Sequence, residues 1–302
     1  MELRQLTEAA LAEITGGEVM RPVIEKELLH YDILRALEQS SLLGRLTFQG
    51  GTALRLCYGS ARYSEDLDFV GGREFAASDL AELAEVIEAF IGKRYGLEVR
   101  VKEPPSPGTP SPSGGITVHR WQVALVTAPA RPDIPKQRIR IEVTNVPAYS
   151  SELRALQRNY AALPDGYEDI LVPVESIDEI MADKLLSLVA NDQRIRHRDL
   201  WDLPWLQQQG ISPSIEWLQF KIADYGVRDY EAKLARRRAE LPSIIHGDAF
   251  REQMTRFIPP TVVRRTLERP GFLDYLQHTN QQLLDAVARG LTGGPEGPEF
   301  PM

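Results

Sequence analysis

Residues 48–69 read FQGGTALRLCYGSARYSEDLDF, and this stretch decides the predicted fold. A short apolar run ends at Gly50 and Gly51, and a helical pattern follows from Thr52. An alternating pattern, typical of a strand, then runs from Tyr63 to Val70. Because glycine has no Cβ, backbone N–H groups in such a turn approach an anion closely, and the helix start adds a favourable dipole. The segment therefore predicts a strand, a phosphate-binding turn, a helix and a second strand.

Two carboxylates on the second strand complete this motif. Asp66 and Asp68 lie two positions apart, so their side chains point to the same side of the strand. Adjacent carboxylates repel each other unless a cation lies between them, and Mg²⁺ prefers hard oxygen ligands. We therefore expect Asp66 and Asp68 to hold one or two Mg²⁺ ions, and Gly50, Gly51 and Thr52 to bind phosphate, as metal-assisted nucleotidyl transfer requires. A surface turn followed by an acidic edge strand is the alternative.

Glu142 is the candidate for a third carboxylate. It lies on a predicted strand over residues 137–146, on the opposite face from the apolar Ile141. If this strand runs beside Asp68, Glu142 completes the metal site or acts as a general base. The alternative is a solvent-facing glutamate paired with Arg140.

Lys184 and Asp199 each fall on the apolar face of a predicted helix. Lys184 lies within the apolar stripe of residues 176–191, and Asp199 shares a face with apolar residues of the next helix. A buried lysine is costly unless an anion contacts it. That anion is either a triphosphate or Asp199, and the two roles are compatible. Pro204 predicts an early end of the second helix.

The composition excludes several classes of protein. The chain has 302 residues, a net charge of −8 and ordinary globular proportions, with 43% hydrophobic residues. No apolar run is long enough for a transmembrane helix, and the N-terminus shows no secretion signal. The single cysteine, Cys57, excludes a disulfide framework and fits a reducing cytoplasm, and we expect it to be a packing residue. The negative net charge gives no general attraction for nucleic acid.

The pattern along the chain predicts an α/β fold in two parts. Residues 1–150 are predicted to form a small mixed sheet with helices, and residues 151–302 a mainly helical domain that completes a nucleotide cleft. The Pro/Ser/Gly-rich residues 103–115 predict a flexible excursion, and the C-terminal tail is expected to be loose.

Three basic clusters stand in the helical part. They are either a positive face suited to an RNA backbone or ordinary solvated helix faces. The clusters are Arg194 to Arg198, Lys233 to Arg238, and Arg264 with Arg265.

These motifs together resemble the AbiEii-type nucleotidyltransferases, the toxin components of type IV-like toxin–antitoxin systems. The resemblance implies a core like that of DNA polymerase β, and it runs from about residue 20 to residue 206. The matching stretches are Glu25-Lys26, residues 48–69, EIMADKLLSL at 179–188 and RDLWDL at 198–203.

The resemblance also implies roles for individual residues. Asp66 and Asp68 match the metal-binding pair of the family. Asp199 matches its essential helical aspartate, which is sometimes assigned as a base. The positions matched to nucleotide or phosphate contacts are Gly51, Thr52, Arg62, Ser64 and Lys184.

The implied activity is Mg²⁺-dependent transfer of a nucleoside monophosphate from an NTP to an acceptor. The implied acceptor is the 3′ end of tRNA, with a block of translation and growth that a cognate antitoxin relieves. One alternative keeps the chemistry but uses a protein or small-molecule acceptor. Another is a nucleotide-binding interaction protein without turnover, which would not need both Asp66 and Asp68.

Overall fold

The computed structural model describes residues 2–105, 116–127, 133, 135–191 and 194–293. Most of the predicted excursion at 103–115, and the C-terminal tail after residue 293, lie outside the described residues.

The first part of the chain forms one mixed sheet. Its strands are β1 (Thr47–Gln49), β2 (Leu67–Val70), β3 (Val99–Lys102), β4 (Val118–Leu125), β5 (Gln137–Thr144), β6 (Glu152–Ala155) and β7 (Leu171–Val174). Their spatial order is β3-β4-β5-β2-β1-β7-β6. β2 pairs antiparallel with β1 and parallel with β5. The predicted α/β fold with a mixed sheet is therefore confirmed.

Helices precede, interrupt and follow the strands. Within the described residues the α-helices are α1 (Leu3–Ala12), α2 (Arg21–Gln39), α3 (Gly50–Tyr58), α4 (Leu83–Tyr95), α5 (Ile177–Ala190), α6 (His197–Gln208), α7 (Ile215–Asp224), α8 (Tyr230–Ile245), α9 (Asp248–Thr255), α10 (Pro260–Arg265) and α11 (Phe272–Leu291). Short 3-10 helices lie at Gly17–Met20, Leu43–Arg45 and Ala77–Leu80. None of the described helices is both long and apolar enough to cross a membrane.

The described chain divides into two compact units. The first contains residues up to Ser176 together with Arg256–Thr261, and the second contains Ile177–Thr255 and the residues from Val262 onward. The sheet extends past the boundary predicted at residue 150, because β6 and β7 both follow it. Each of these strands has only four residues, and β7 contains Pro173, so the sequence offers almost no alternation by which to recognise them.

Alternate residues of β2 and β5 form the core face of the sheet. Leu67 and Phe69 of β2 are fully buried, and so are Ile141 and Val143 of β5. The residues between them point to the opposite face, because side chains alternate along a strand. The burial of this apolar set therefore places Asp68 on the other face of the sheet.

Pro204 lies within α6 and does not end it, contrary to the sequence expectation. Proline has no N–H to donate to the carbonyl of Leu200, four residues earlier. The side-chain amide of Asn280, on α11, donates to that carbonyl at 2.9 Å. Asn280 is fully buried, so a side chain of the same unit replaces the missing helical hydrogen bond without help from water.

This replacement makes Asn280 a stability determinant. We expect Asn280→Ala to lower the free energy of unfolding by about 1–3 kcal/mol, because the buried carbonyl of Leu200 then has no donor. Urea unfolding of the full chain measures the loss. The control is Gln281→Ala on the same helix, whose amide bonds the part-buried Asp285 and whose loss should cost less than about 0.5 kcal/mol. Equal losses in the two variants would contradict this role of Asn280.

Candidate active site

The glycine turn after β1 packs directly against the predicted site residues. Gly50 has a φ of +77°, and a Cβ there would lie 2.9 Å from Oδ2 of Asp68. A Cβ at Gly51 would collide with the guanidinium of Arg62 and lie 3.1 Å from Oγ of Ser64. A side chain at Gly50 would be strained by the positive φ, and one at Gly51 would require Arg62 to move, so the fold brings these five predicted residues together.

The start of α3 has the features of an anion site. The first N–H groups of a helix lack partners within the helix, and the helix dipole adds positive potential there. Arg62 is 2% exposed, and its Nη1 donates to the carbonyl of Tyr63 at 2.7 Å. The buried guanidinium therefore lies next to the helix start and adds to the positive potential there.

The hydroxyl of Thr52 makes a hydrogen bond within the protein. The side chain is 1% exposed, and its Oγ1 donates to the carbonyl of Asp66 at 2.5 Å. This bond joins α3 to the residue that precedes β2. Because it uses the hydroxyl proton, a phosphate contact at Thr52 falls to the backbone N–H.

Two carboxylates are neighbours on β2 and β5, and a third lies next to the start of β2. Asp68 and Glu142 are register partners on the parallel strands β2 and β5. Asp66 immediately precedes β2, and its Oδ1 accepts from the backbone N–H of Arg140 at 3.3 Å. The side chains of Asp66 and Glu142 are 19% and 23% exposed. The structure thus pairs Asp68 with Glu142 on adjacent strands, and both Asp66 and Glu142 contact Arg140.

Two arginines contact these carboxylates. Nε of Arg120 donates to Oε1 of Glu142 at 2.6 Å. Nη2 of Arg140 lies 3.4 Å from Oδ2 of Asp66, and its Nη1 lies 4.0 Å from Oε1 of Glu142. The hydrogen bond that Arg120 donates to Glu142 raises the pKa of Arg120 above its ordinary value. The glutamate–arginine pairing expected as the alternative for Glu142 is therefore present, and it coexists with the carboxylate group.

The chemistry of this donor set fits a divalent cation. Carboxylate oxygens are the hard donors that Mg²⁺ and similar ions prefer. The side chains that would hold such an ion are Asp66, Asp68 and Glu142. Asp68 lies beside the glycine turn, so a cation held there would be close to the start of α3.

In the second unit, Lys184 forms a buried ion-pair group with two aspartates. Its Nζ lies 3.0 Å from Oδ1 of Asp199 and 2.6 Å from Oδ2 of Asp202. Ser187 donates to the other oxygen of Asp199 at 2.6 Å. The Lys184–Asp199 pair that the sequence offered as one interpretation is confirmed. The pair between Lys184 and Asp202 was not predicted, because the helical projection put Asp202 at the edge of the apolar face. Asp202 follows Asp199 by three residues, however, and this spacing places both on one side of α6.

Asp199 is held in its ionised form. Burial raises its pKa, but the charges of Lys184 and Arg196 and the hydrogen bond from Ser187 outweigh burial, so the pKa lies below its ordinary value. A carboxylate with a lowered pKa is a weak proton acceptor. This arrangement gives Asp199 a structural role within its own unit, whereas the resemblance implies the role of a general base.

The basic clusters are partly structural. Arg237 is 3% exposed, and it donates to the carbonyls of Leu188 and Asn191 at 3.0 and 2.9 Å. It therefore caps the C-terminal end of α5 and does not contribute to a surface for RNA. Arg238 pairs with Asp285.

Cys57 is a packing residue, as expected. It is buried on α3, and burial raises the pKa of its thiol to about 12. The thiol therefore stays protonated at neutral pH and is a poor nucleophile.

Gly50→Ala is expected to lower nucleotidyl transfer about 100-fold while the protein stays folded. A Cβ at Gly50 is strained by the positive φ and displaces Asp68, and a misplacement of about 1 Å costs about 100-fold in rate. Transfer rates and thermal unfolding measure the two effects. The matched control is Gly44→Ala, where a Cβ meets nothing within 4 Å. Full activity of Gly50→Ala would exclude this turn from the site.

Lys184→Met is expected to destabilise the protein by about 3–5 kcal/mol, because it removes the buried cation that Asp199 and Asp202 share. The lowered pKa of Asp199 means that the ion pair stabilises the fold above the ordinary aspartate pKa of 3.8, and that this contribution disappears as the pH falls through the lowered value. Urea unfolding between pH 7 and pH 3 measures the difference from the wild type. A difference in unfolding free energy between Lys184→Met and the wild type that grows as the pH falls would contradict this role of the ion pair.

Comparisons with known proteins give one assignment. Among solved structures, the chain is similar to MenT4, a nucleotidyltransferase toxin from Mycobacterium tuberculosis, with 20% identity and a TM-score of 0.49. The match covers 80% of this chain and 72% of MenT4. It is also similar to JHP933 from Helicobacter pylori, with 18% identity and a TM-score of 0.49. That match covers 90% of this chain and 94% of JHP933. A search of curated proteins gives no match. The family model described as "Nucleotidyl transferase AbiEii toxin, Type IV TA system" matches residues 32–278. Because this match spans most of the chain, the protein belongs to the AbiEii family of nucleotidyltransferase toxins.

Proposed function

We propose that this toxin is an Mg²⁺-dependent cytoplasmic enzyme that transfers a nucleoside monophosphate from an NTP to the 3′ end of tRNA. The modified tRNA no longer supports translation, and growth stops until a cognate antitoxin acts. The observation that carries the proposal is the group of Asp66, Asp68 and Glu142, which lies beside a glycine turn with a buried arginine.

Each part of this arrangement has a task in the transfer. Asp66, Asp68 and Glu142 would hold the cation, which when bound neutralises triphosphate charge and orients the reacting groups. The N–H groups from Gly50 to Thr52 and the guanidinium of Arg62 bind the phosphates that leave as pyrophosphate. Ser64, whose hydroxyl lies beside Gly51, is placed to donate to the same phosphates.

The chemical step is an exchange of one P–O bond for another. The acceptor hydroxyl attacks the α-phosphorus, the bond to the β-phosphate oxygen breaks, and the hydroxyl proton leaves to solvent or to a carboxylate. Because the charge is spread over phosphate oxygens, positioning and electrostatic stabilisation supply most of the rate enhancement.

Support for a tRNA acceptor comes from the toxin family and not from the overall charge. A net charge of −8 attracts no polyanion by itself, so any RNA contact depends on local arginines. For Lys184 we propose a nucleotide contact, and for Asp199 a role in catalysis, on the family resemblance alone. Within their own unit these residues bind each other.

The first experiment is transfer of label from each of the four α-³²P NTPs to total bacterial tRNA in the presence of Mg²⁺, read on a denaturing gel. We expect label on RNA with one preferred nucleotide, and no label after EDTA treatment. Label on a protein band when lysate is added would replace the tRNA acceptor by a protein. No label on RNA or on protein would contradict the proposed macromolecular acceptors.

Asp68→Asn tests the carboxylate group in the same assay. It keeps the shape of the side chain but removes a charge needed for cation binding, so we expect a loss on the order of 1000-fold. The matched control is Asp165→Asn, whose side chain is 96% exposed and pairs with Arg158 at the surface. Circular dichroism confirms that both variants fold, and wild-type activity of Asp68→Asn would overturn the mechanism.

A further inference from the structure

Arg120 and Arg140 lie on the side of the carboxylates away from the glycine turn. Across the sheet the order is β4, β5, β2 and β1, and the glycine turn follows β1. Asp68 lies on β2, Arg140 and Glu142 lie on β5, and Arg120 is the register partner of Glu142 on β4. The carboxylates therefore stand between the turn and these two arginines.

The order of the strands indicates on which side of the phosphorus the leaving group and the acceptor lie. In an in-line displacement the attacking and leaving oxygens lie on opposite sides of the phosphorus. The proposed function, on which this inference rests, puts the leaving pyrophosphate at the glycine turn. The acceptor then enters from the β5–β4 side, where Arg120 and Arg140 project from the same face as Glu142.

Both arginines use the oxygens that a cation would need. Arg120 bonds Glu142 at 2.6 Å, and Arg140 contacts both Asp66 and Glu142. Their side chains are nevertheless 54% and 46% exposed, so each has solvent beside it into which it can rotate. A divalent cation on these carboxylates competes with the guanidinium groups for the same lone pairs.

We propose that Arg120 and Arg140 form an acceptor clamp. They neutralise the carboxylates in the metal-free protein, and they are released when a divalent cation binds. The freed guanidinium groups then bind backbone phosphates next to the acceptor hydroxyl, in the two-pronged geometry that arginine makes with phosphate. The acceptor this clamp selects is a nucleic-acid 3′ end and not an uncharged hydroxyl compound.

The clamp predicts thermodynamic coupling between the cation and RNA. If the cation frees the arginines, it strengthens RNA binding, and RNA must strengthen cation binding by the same factor. Removing both arginines has two further consequences. The cation binds more tightly without RNA, because its competitors are absent, and the coupling is lost.

Arg100 provides the matched control. It lies on β3 of the same sheet, opposite Ala124 of β4, and therefore on the same face as Arg120. Its side chain is 77% exposed and contacts Glu98 at 3.5 Å. Arg100→Ala thus removes one surface charge from the same face without touching the carboxylate group.

The experiment measures binding without turnover. A 5′-fluorescein RNA 12-mer ending in CCA is titrated by anisotropy with and without Mn²⁺, and Mn²⁺ affinity is measured separately by EPR. For the wild type and Arg100→Ala we expect Mn²⁺ to strengthen RNA binding about 10-fold. For the Arg120→Ala/Arg140→Ala double variant we expect coupling below about 2-fold and Mn²⁺ binding about 5-fold tighter. The slope of log RNA affinity against log salt concentration should also become shallower by about 1.4 in the double variant. This is the change expected when two phosphate contacts to a single strand are lost.

Each result decides the proposal. Coupling that survives in the double variant, or Mn²⁺ affinity that does not rise in it, overturns the clamp, as does wild-type protein that fails to bind the RNA. Wild-type protein that shows the coupling but transfers no label to tRNA contradicts the proposed function and leaves the clamp intact. Transfer to tRNA with an unchanged RNA KM in the double variant overturns the clamp alone.

Discussion

The register of β2 against β5 is the constraint on which the site depends. It sets Asp68 opposite Glu142, and it holds because the residues on either side of each carboxylate are fully buried. A slip of one residue would turn the charges into the core and the apolar side chains into water, so the hydrophobic effect enforces this pairing. The energy that fixes the carboxylates therefore comes from their apolar neighbours, while mutual repulsion of the charges opposes their approach.

Local electrostatics compensate this repulsion on both sides. On one side, the start of α3 and the buried Arg62 supply positive potential at Gly51. On the other side, Arg120 and Arg140 bind the carboxylates directly. A negative centre between two positive flanks suits a reaction in which a cation, a triphosphate and a second polyanion meet. A chain of net charge −8 therefore has local positive potential on both sides of these carboxylates.

The second unit depends on buried ion pairs of its own. Lys184 of α5 binds two aspartates of α6, and Lys221 of α7, which is fully buried, binds Glu179 and Asp183 of α5 at 2.7 and 3.0 Å. Helix α5 therefore shares a buried charge group with each of two neighbours. Breaking a buried group by removing one partner is costly, so these pairs restrict the ways in which the helices can pack.

The sequence by itself determined the α/β class and the succession of strand, glycine turn, helix and second strand. These features follow from local periodicity and from the special conformations of glycine, both of which act within a few residues. Only the tertiary structure decided that β2 lies beside β5, that Arg120 bonds Glu142, and that Asn280 replaces the hydrogen bond missing at Pro204. Contacts of this kind join residues far apart in the chain, and they depend on packing that no short pattern encodes. The short strands β6 and β7 escaped prediction for the same reason, since pairing with β1 and with each other defines them more than their own residues do.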